Sequence, residues 1–120
     1  MNKIVNLTSN VTTDDQKNVG VVDIEDRKLV AELLNFKTLP TNAQIYNRAE
    51  VLASLVDAPV GTTVLIGGPQ FLMSTLTESL KKRGYIVVFE CVTSEVIHFT
   101  NDRGNMIQSP VFKHLGFIEA

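Results

Sequence analysis

The stretch best suited to chemistry is Gly67-Gly68-Pro69, which follows the apolar run Thr63-Val64-Leu65-Ile66 and leads into the amphipathic segment Gln70 to Arg83. The pattern predicts strand, tight turn and helix. Two glycines permit positive φ or close backbone approach, and a proline suits the first turn of a helix. Such a turn leaves N–H groups converging on one spot, where a phosphate or another anion is welcome. Glycine serves tight strand–helix packing equally well. No Gly-Lys-Ser/Thr follows, so this is not a P-loop. A dinucleotide fingerprint needs a third glycine and an acidic residue about twenty positions on. Glu90 lies near that distance but inside a predicted strand. A nicotinamide or flavin enzyme is disfavoured, and no cofactor is expected.

Two other short polar stretches follow predicted strands: Thr8-Ser9-Asn10 and Thr93-Ser94-Glu95. In an open parallel sheet, ligands bind outside the carboxyl ends of the strands, where the strand order reverses. Three loops would meet there, and their small donors and acceptors could hold phosphate, ribose or a base edge. Thr8, Ser9, Asn10, Gly67, Gly68, Gln70, Thr93 and Ser94 form the expected ligand-binding set. Taken singly, hydroxyls and amides more often cap helices and close loops. Their convergence is the functional signal.

Other chemistry finds less support. His98 and His114 have no metal-ligand spacing, and Cys91 is the only cysteine, so no metal site is expected. Asp14-Asp15 and Asp23, Glu25 and Asp26 sit at predicted helix starts, where carboxylates are stabilised anyway. Lys81-Lys82-Arg83 closes a predicted helix, where cations complement the macrodipole.

The elements that must position these residues alternate. Strands are expected near residues 3–7, 19–24, 63–66 and 85–92. Asp26 can cap a helix carrying Leu29, Val30, Leu33 and Leu34. Thr41-Asn42-Ala43-Gln44 has capping-box spacing and opens the longest helix, whose stripe is Ile45, Ala49, Leu52 and Val56. Gly84 stops the helix that begins at Gln70. Residues 95–100 and 106–113 flank Asn101-Asp102-Arg103-Gly104-Asn105 and read as a hairpin. The expected fold is α/β: one domain over residues 1–120, with a small Rossmann-like parallel sheet, flanking helices and a C-terminal β-hairpin.

Composition narrows the function classes. The chain has 120 residues, 44% hydrophobic and 20% charged, with a net charge of −2. Long nucleic acid is an unexpected partner, because its binding calls for a basic face. No apolar run reaches the roughly 18 residues of a membrane helix, and Met1 to Asn6 is too short and polar for a secretory signal. A lone cysteine suits a reducing compartment, so a cytoplasmic location is expected.

With polar residues after the first strand, Gly-Gly after a central one and Thr-Ser after the next, the layout resembles small CARF-like proteins of prokaryotic antiviral defence. That resemblance implies binding of a nucleotide or cyclic oligonucleotide signal, by sequestering it or by cleaving it as a metal-independent ring nuclease. It also implies a homodimer presenting a symmetric pocket. Asn6-Leu7-Thr8, Gly67 to Met73 and Val111 to Phe117 are also similar to a small bacterial and phage family. Two other readings stand beside this one. The chain could be a phage or bacterial interaction module or inhibitor, exposing Phe99, Val111, Phe112, Leu115, Phe117 and Ile118 as a patch. It could be a phosphoribosyl or glycosyl-bond transferase, using Glu90 and Glu95 as an acid/base pair.

Overall fold

Short β-branched runs separated by capped helical stretches fold into a five-stranded sheet with helices on both faces. The structure is a computed structural model and describes residues 3–10, 12 and 14–120; the side chains of residues 15, 92–97, 99 and 109–114 lie outside that description. In chain order the elements are β1 (Ile4–Leu7), α1 (Asp14–Asn18), β2 (Val21–Asp23), α2 (Arg27–Leu34) and α3 (Asn42–Leu55). They continue with β3 (Thr63–Ile66), α4 (Gln70–Lys82), β4 (Ile86–Thr100) and β5 (Met106–Glu119). The sheet order is β2-β1-β3-β4-β5, parallel through β4 and antiparallel between β4 and β5. The expected α/β fold, with its Rossmann-like parallel sheet, flanking helices and C-terminal hairpin, is the one observed.

Right-handed crossovers explain the layering. The chain leaves β1 for β2 in one direction and returns past β1 to β3 and β4 in the other. Those opposite directions put α1 on one face and α2, α3 and α4 on the other. The cores agree. Val5, Leu7, Val64, Ile66 and Val87 pack with Val30, Leu34, Leu52, Leu72, Leu76 and Leu80 in the main cluster. On the opposite face Val21, Leu65 and Val88 form a smaller cluster with Ile4 and Phe117.

The helices form where their caps predict. Asp26 accepts a hydrogen bond from the Leu29 N–H, and Thr41 and Gln44 complete a reciprocal capping box. Of the stripe read from the sequence, Ala49, Leu52 and Val56 are buried. Lys82 and Arg83 pair with Glu50 of α3 at 3.8 and 3.2 Å, so part of the basic cluster joins two helices. The Tyr85 hydroxyl donates to the Val56 and Ala58 carbonyls just past the end of α3. Gly84 follows α4 at φ +89°, and a Cβ there would lie 2.7 Å from Val60 Cγ1.

One expected boundary moved. Thr93-Ser94-Glu95, expected as a loop, is the middle of β4, in register with Lys113, Phe112 and Val111 of β5. Hydroxyl residues read as loop formers when neighbours are unknown, yet threonine favours strands and a paired ladder satisfies the backbone. The turn at the hairpin tip is as expected, with Asn101 Oδ1 accepting from the Arg103 and Asn105 N–H groups.

A polar knot ties β1 to β2. Asn6 is 4% exposed, and its carboxamide nitrogen donates to Asp23 Oδ1 and the Asn10 carbonyl, each at 2.9 Å. Thr12 donates to the same Asp23 oxygen through both its N–H and its hydroxyl. Burial pushes the Asp23 carboxyl up, but the hydrogen bonds from Thr12 and Asn6, with Arg27 beside them, outweigh it and hold the pKa below 3.8. A depressed pKa contributes stability above the unfolded value and loses it as pH falls through the folded value. Asp23→Asn is therefore expected to cost about 1 kcal/mol in urea unfolding near neutral pH. The difference from wild type should shrink below pH 3.8 and vanish once both states are protonated. Gly84→Ala combines a positive φ with the Val60 clash, and should lower stability by about 1–3 kcal/mol in the same assay.

Candidate functional site

Reversal of strand order sets the site. Between β1 and β3 the connections diverge to opposite faces, leaving a crevice at the carboxyl ends of the strands. A cleft of about 370 Å³ occupies that position. Its walls are Thr8, Ser9 and Asn10 after β1, Gly67 and Gly68 after β3, and Phe89 and Glu90 where the pairing of β4 with β3 ends. Gln16 of α1 closes the remaining side and hydrogen-bonds to the Glu90 carboxylate.

The loop after β1 is held by Asn6. Its carbonyl oxygen accepts from the Thr8 N–H at 3.1 Å and the Thr8 hydroxyl at 2.6 Å, while its amide nitrogen holds the Asn10 carbonyl. Thr8 therefore spends its hydroxyl on the loop itself. Ser9 and Asn10 are exposed at the rim. Arg27 donates to the Ser9 carbonyl at 3.3 Å, placing a guanidinium just outside the cleft.

The glycine turn has two different constraints. A Cβ on Gly67 would meet Thr8 Cγ2 at 3.4 Å, an ordinary contact across the crevice. A Cβ on Gly68 would sit 3.1 Å from Leu34 Cδ2 and 3.4 Å from Met73 Cε, so Gly68 lets α2 pack on the start of α4. Pro69 takes the N-cap position and supplies no side-chain cap. The first N–H groups of α4 consequently have no capping side chain. Phe36 packs edge-on against Phe71 at 5.0 Å, and the Arg48 guanidinium lies 4.0 Å above the Phe36 ring. Arg48 also donates to the Leu33 and Asn35 carbonyls, locking the α2–α3 corner against α4.

Five of the eight expected site residues line this cleft: Thr8, Ser9, Asn10, Gly67 and Gly68. Gln70 is the exposed first residue of α4 and is not part of the wall. Thr93 and Ser94 lie further along β4, within the ladder to β5, and their side chains are outside the described residues. Gln16 and Phe89 were not anticipated. The signal for Glu90 was a carboxylate interrupting an otherwise apolar strand. Gln16 had no local signal, because its partner is 74 residues away.

The chemistry available is narrow. Among the described residues Glu90 is the one ionisable group lining the cleft, and no lysine or arginine faces it. Glu95 stands five residues further along an extended strand, about 17 Å from Glu90. Among the described residues no group of His, Cys, Asp and Glu could hold a metal ion, and no helix is long and apolar enough to cross a membrane.

No curated protein and no solved structure matches this chain. A family model described as the "Uncharacterized protein MJ1673 family" matches residues 2–118. That description names no ligand and no CARF-like relative. With the match running nearly end to end, the chain belongs to the MJ1673 family.

Proposed function

We propose that this protein binds a nucleotide-class ligand carrying few negative charges in the cleft at the β1/β3 crevice, acting in the cytoplasm. The observation that carries this reading is the meeting of the Gly67-Gly68 turn and the Thr8-Ser9-Asn10 loop at the reversal of strand order. Backbone N–H groups at the glycine turn and the start of α4 suit one phosphate or carboxylate. Ser9 and Asn10 at the rim suit a base edge or the same anion. Glu90, held by Gln16, is an acceptor fitted to sugar hydroxyls and repels additional phosphates. A cleft of about 370 Å³ is at the small end of ligand pockets, the size of one nucleotide unit. A cyclic oligonucleotide of the kind CARF-like proteins recognise would have to span the clefts of two copies related by a two-fold axis. Binding or sequestration fits this equipment of converging backbone donors, rim hydroxyl and amide groups and a carboxylate held by Gln16.

A thermal-shift screen against nucleosides, nucleoside mono- and triphosphates, and cyclic mono-, di-, tri- and tetranucleotides tests the reading, with product analysis of every hit. At a hundred times its dissociation constant a true ligand stabilises the fold by about 2.7 kcal/mol. The expected ranking places monophosphates above triphosphates. Gly67→Ala should leave the melting temperature of the free protein unchanged and lower affinity about ten-fold or more by narrowing the crevice. Glu90→Gln should weaken hydroxyl-bearing ligands by about ten-fold, one charge-assisted hydrogen bond. No shift with any of these compounds overturns the proposal.

A further inference from the structure

Away from the crevice, we propose that the outer side of the α2–α3 corner is a second binding site, taking a small phosphate monoester that also carries hydroxyl groups. A cavity of about 620 Å³ lies there, larger than the cleft and sharing no wall residue with it. Ligand pockets span roughly 300–1,000 Å³. Lys28, Ala31, Glu32 and Asn35 supply one wall, and their spacing places them on one face of α2. Lys37 of the α2–α3 connection and Arg48 of α3 stand across from them.

Arg48 is the fixed point of this site. Its Nη1 donates to the Leu33 carbonyl at 3.2 Å and to the Asn35 carbonyl at 2.7 Å. The Phe36 ring covers one face of the guanidinium, 4.0 Å from its central carbon. Those contacts occupy one nitrogen and one face. Nε and Nη2 donate to no described residue. No buried side-chain nitrogen lacks a partner among the described residues, so this edge is open to solvent. The Nε–Nη2 edge of a guanidinium is a fork that matches two oxygens of a phosphate. Here the fork is held in place before a ligand arrives, which lowers the entropic cost of binding.

Charge defines the ligand further. Lys28 and Lys37 are exposed and join no ion pair among the described residues. Three cations and one carboxylate therefore share this cavity, in a chain whose net charge is −2. Helix stability does not account for the arrangement. Lys28 lies in the first turn of α2 and Glu32 in its last, each opposing the macrodipole. A phosphate monoester carries about −1.5 to −2 at neutral pH, which matches the local excess of positive charge. An ionised Glu32 accepts hydrogen bonds only, so it fits hydroxyl groups beside the phosphate, and the Asn35 carboxamide both donates and accepts. Nucleic acid and anionic membranes call for a broad basic face. A carboxylate within the wall opposes both and suits a small molecule.

Amide shift mapping by nuclear magnetic resonance on the full chain tests the assignment. Inorganic phosphate and glycerol 3-phosphate are titrated against sodium chloride at matched ionic strength. The expected result is a saturable shift at residues 28–38 and at Arg48 with both phosphates and none with chloride, glycerol 3-phosphate binding the more tightly. Replacing two exposed lysines together, Lys28→Gln with Lys37→Gln, should leave the melting temperature unchanged and lower affinity about ten-fold or more. Glu32→Gln should bind inorganic phosphate more tightly and lose the preference for glycerol 3-phosphate. Equal shifts with chloride, shifts confined to Ser9, Gly67 and Gly68 of the cleft, or unchanged affinity in the double variant would each overturn the proposal.

Discussion

One buried side chain, the carboxamide of Asn6, sets the terms for the carboxyl end of this sheet. A polar group taken out of water must find partners inside or cost free energy comparable to a lost hydrogen bond. Asn6 finds them in Thr8, Asn10, Thr12 and Asp23, and in doing so holds the end of β1, the loop after it and the end of β2 in one arrangement. Thr8 then presents its methyl group to Gly67 across the crevice. No buried side-chain polar atom lacks a partner among the described residues, so the knot is fully satisfied.

The glycine turn shows how one short motif meets two demands. Gly68 answers to packing, since Leu34 and Met73 occupy the space a side chain would need. Gly67 answers to the crevice, where only Thr8 stands opposite. The start of α4 that follows is fixed from behind by Phe36, Phe71 and Arg48 rather than by a capping side chain. Rigid support combined with an open front is what preorganises a binding site at low entropic cost.

Electrostatics restrains what such a cleft can accept. Backbone donors favour a negative group, and the Glu90 carboxylate in the same cleft accepts a hydrogen bond from Gln16. The cations nearest in sequence terms are committed elsewhere: Arg27 to Asp23 and the Ser9 carbonyl, Arg83 to Glu50, Arg48 to the α2–α3 corner.

Amino-acid order alone determined the local structure here. Helix caps at Asp26 and Thr41, the apolar stripe of α3, the strand Thr63–Ile66 and the turn at Gly67-Gly68 all depend on neighbours within a few residues, and those are visible in a linear chain. Crossover handedness then followed from alternation, which was enough to bring the loop after β1 and the glycine turn to one edge. Tertiary structure decided the rest. Thr93 and Ser94 became strand because β5 supplied backbone partners some twenty residues later, which no local preference encodes. Gln16 and Glu90 meet across 74 residues, and their pairing exists only after the sheet has formed. That no lysine or arginine is among the described residues of the cleft wall likewise became readable only once folding had sent Arg27, Arg48 and Arg83 to carboxylates or carbonyls, because charge acts through distance in space and not along the chain.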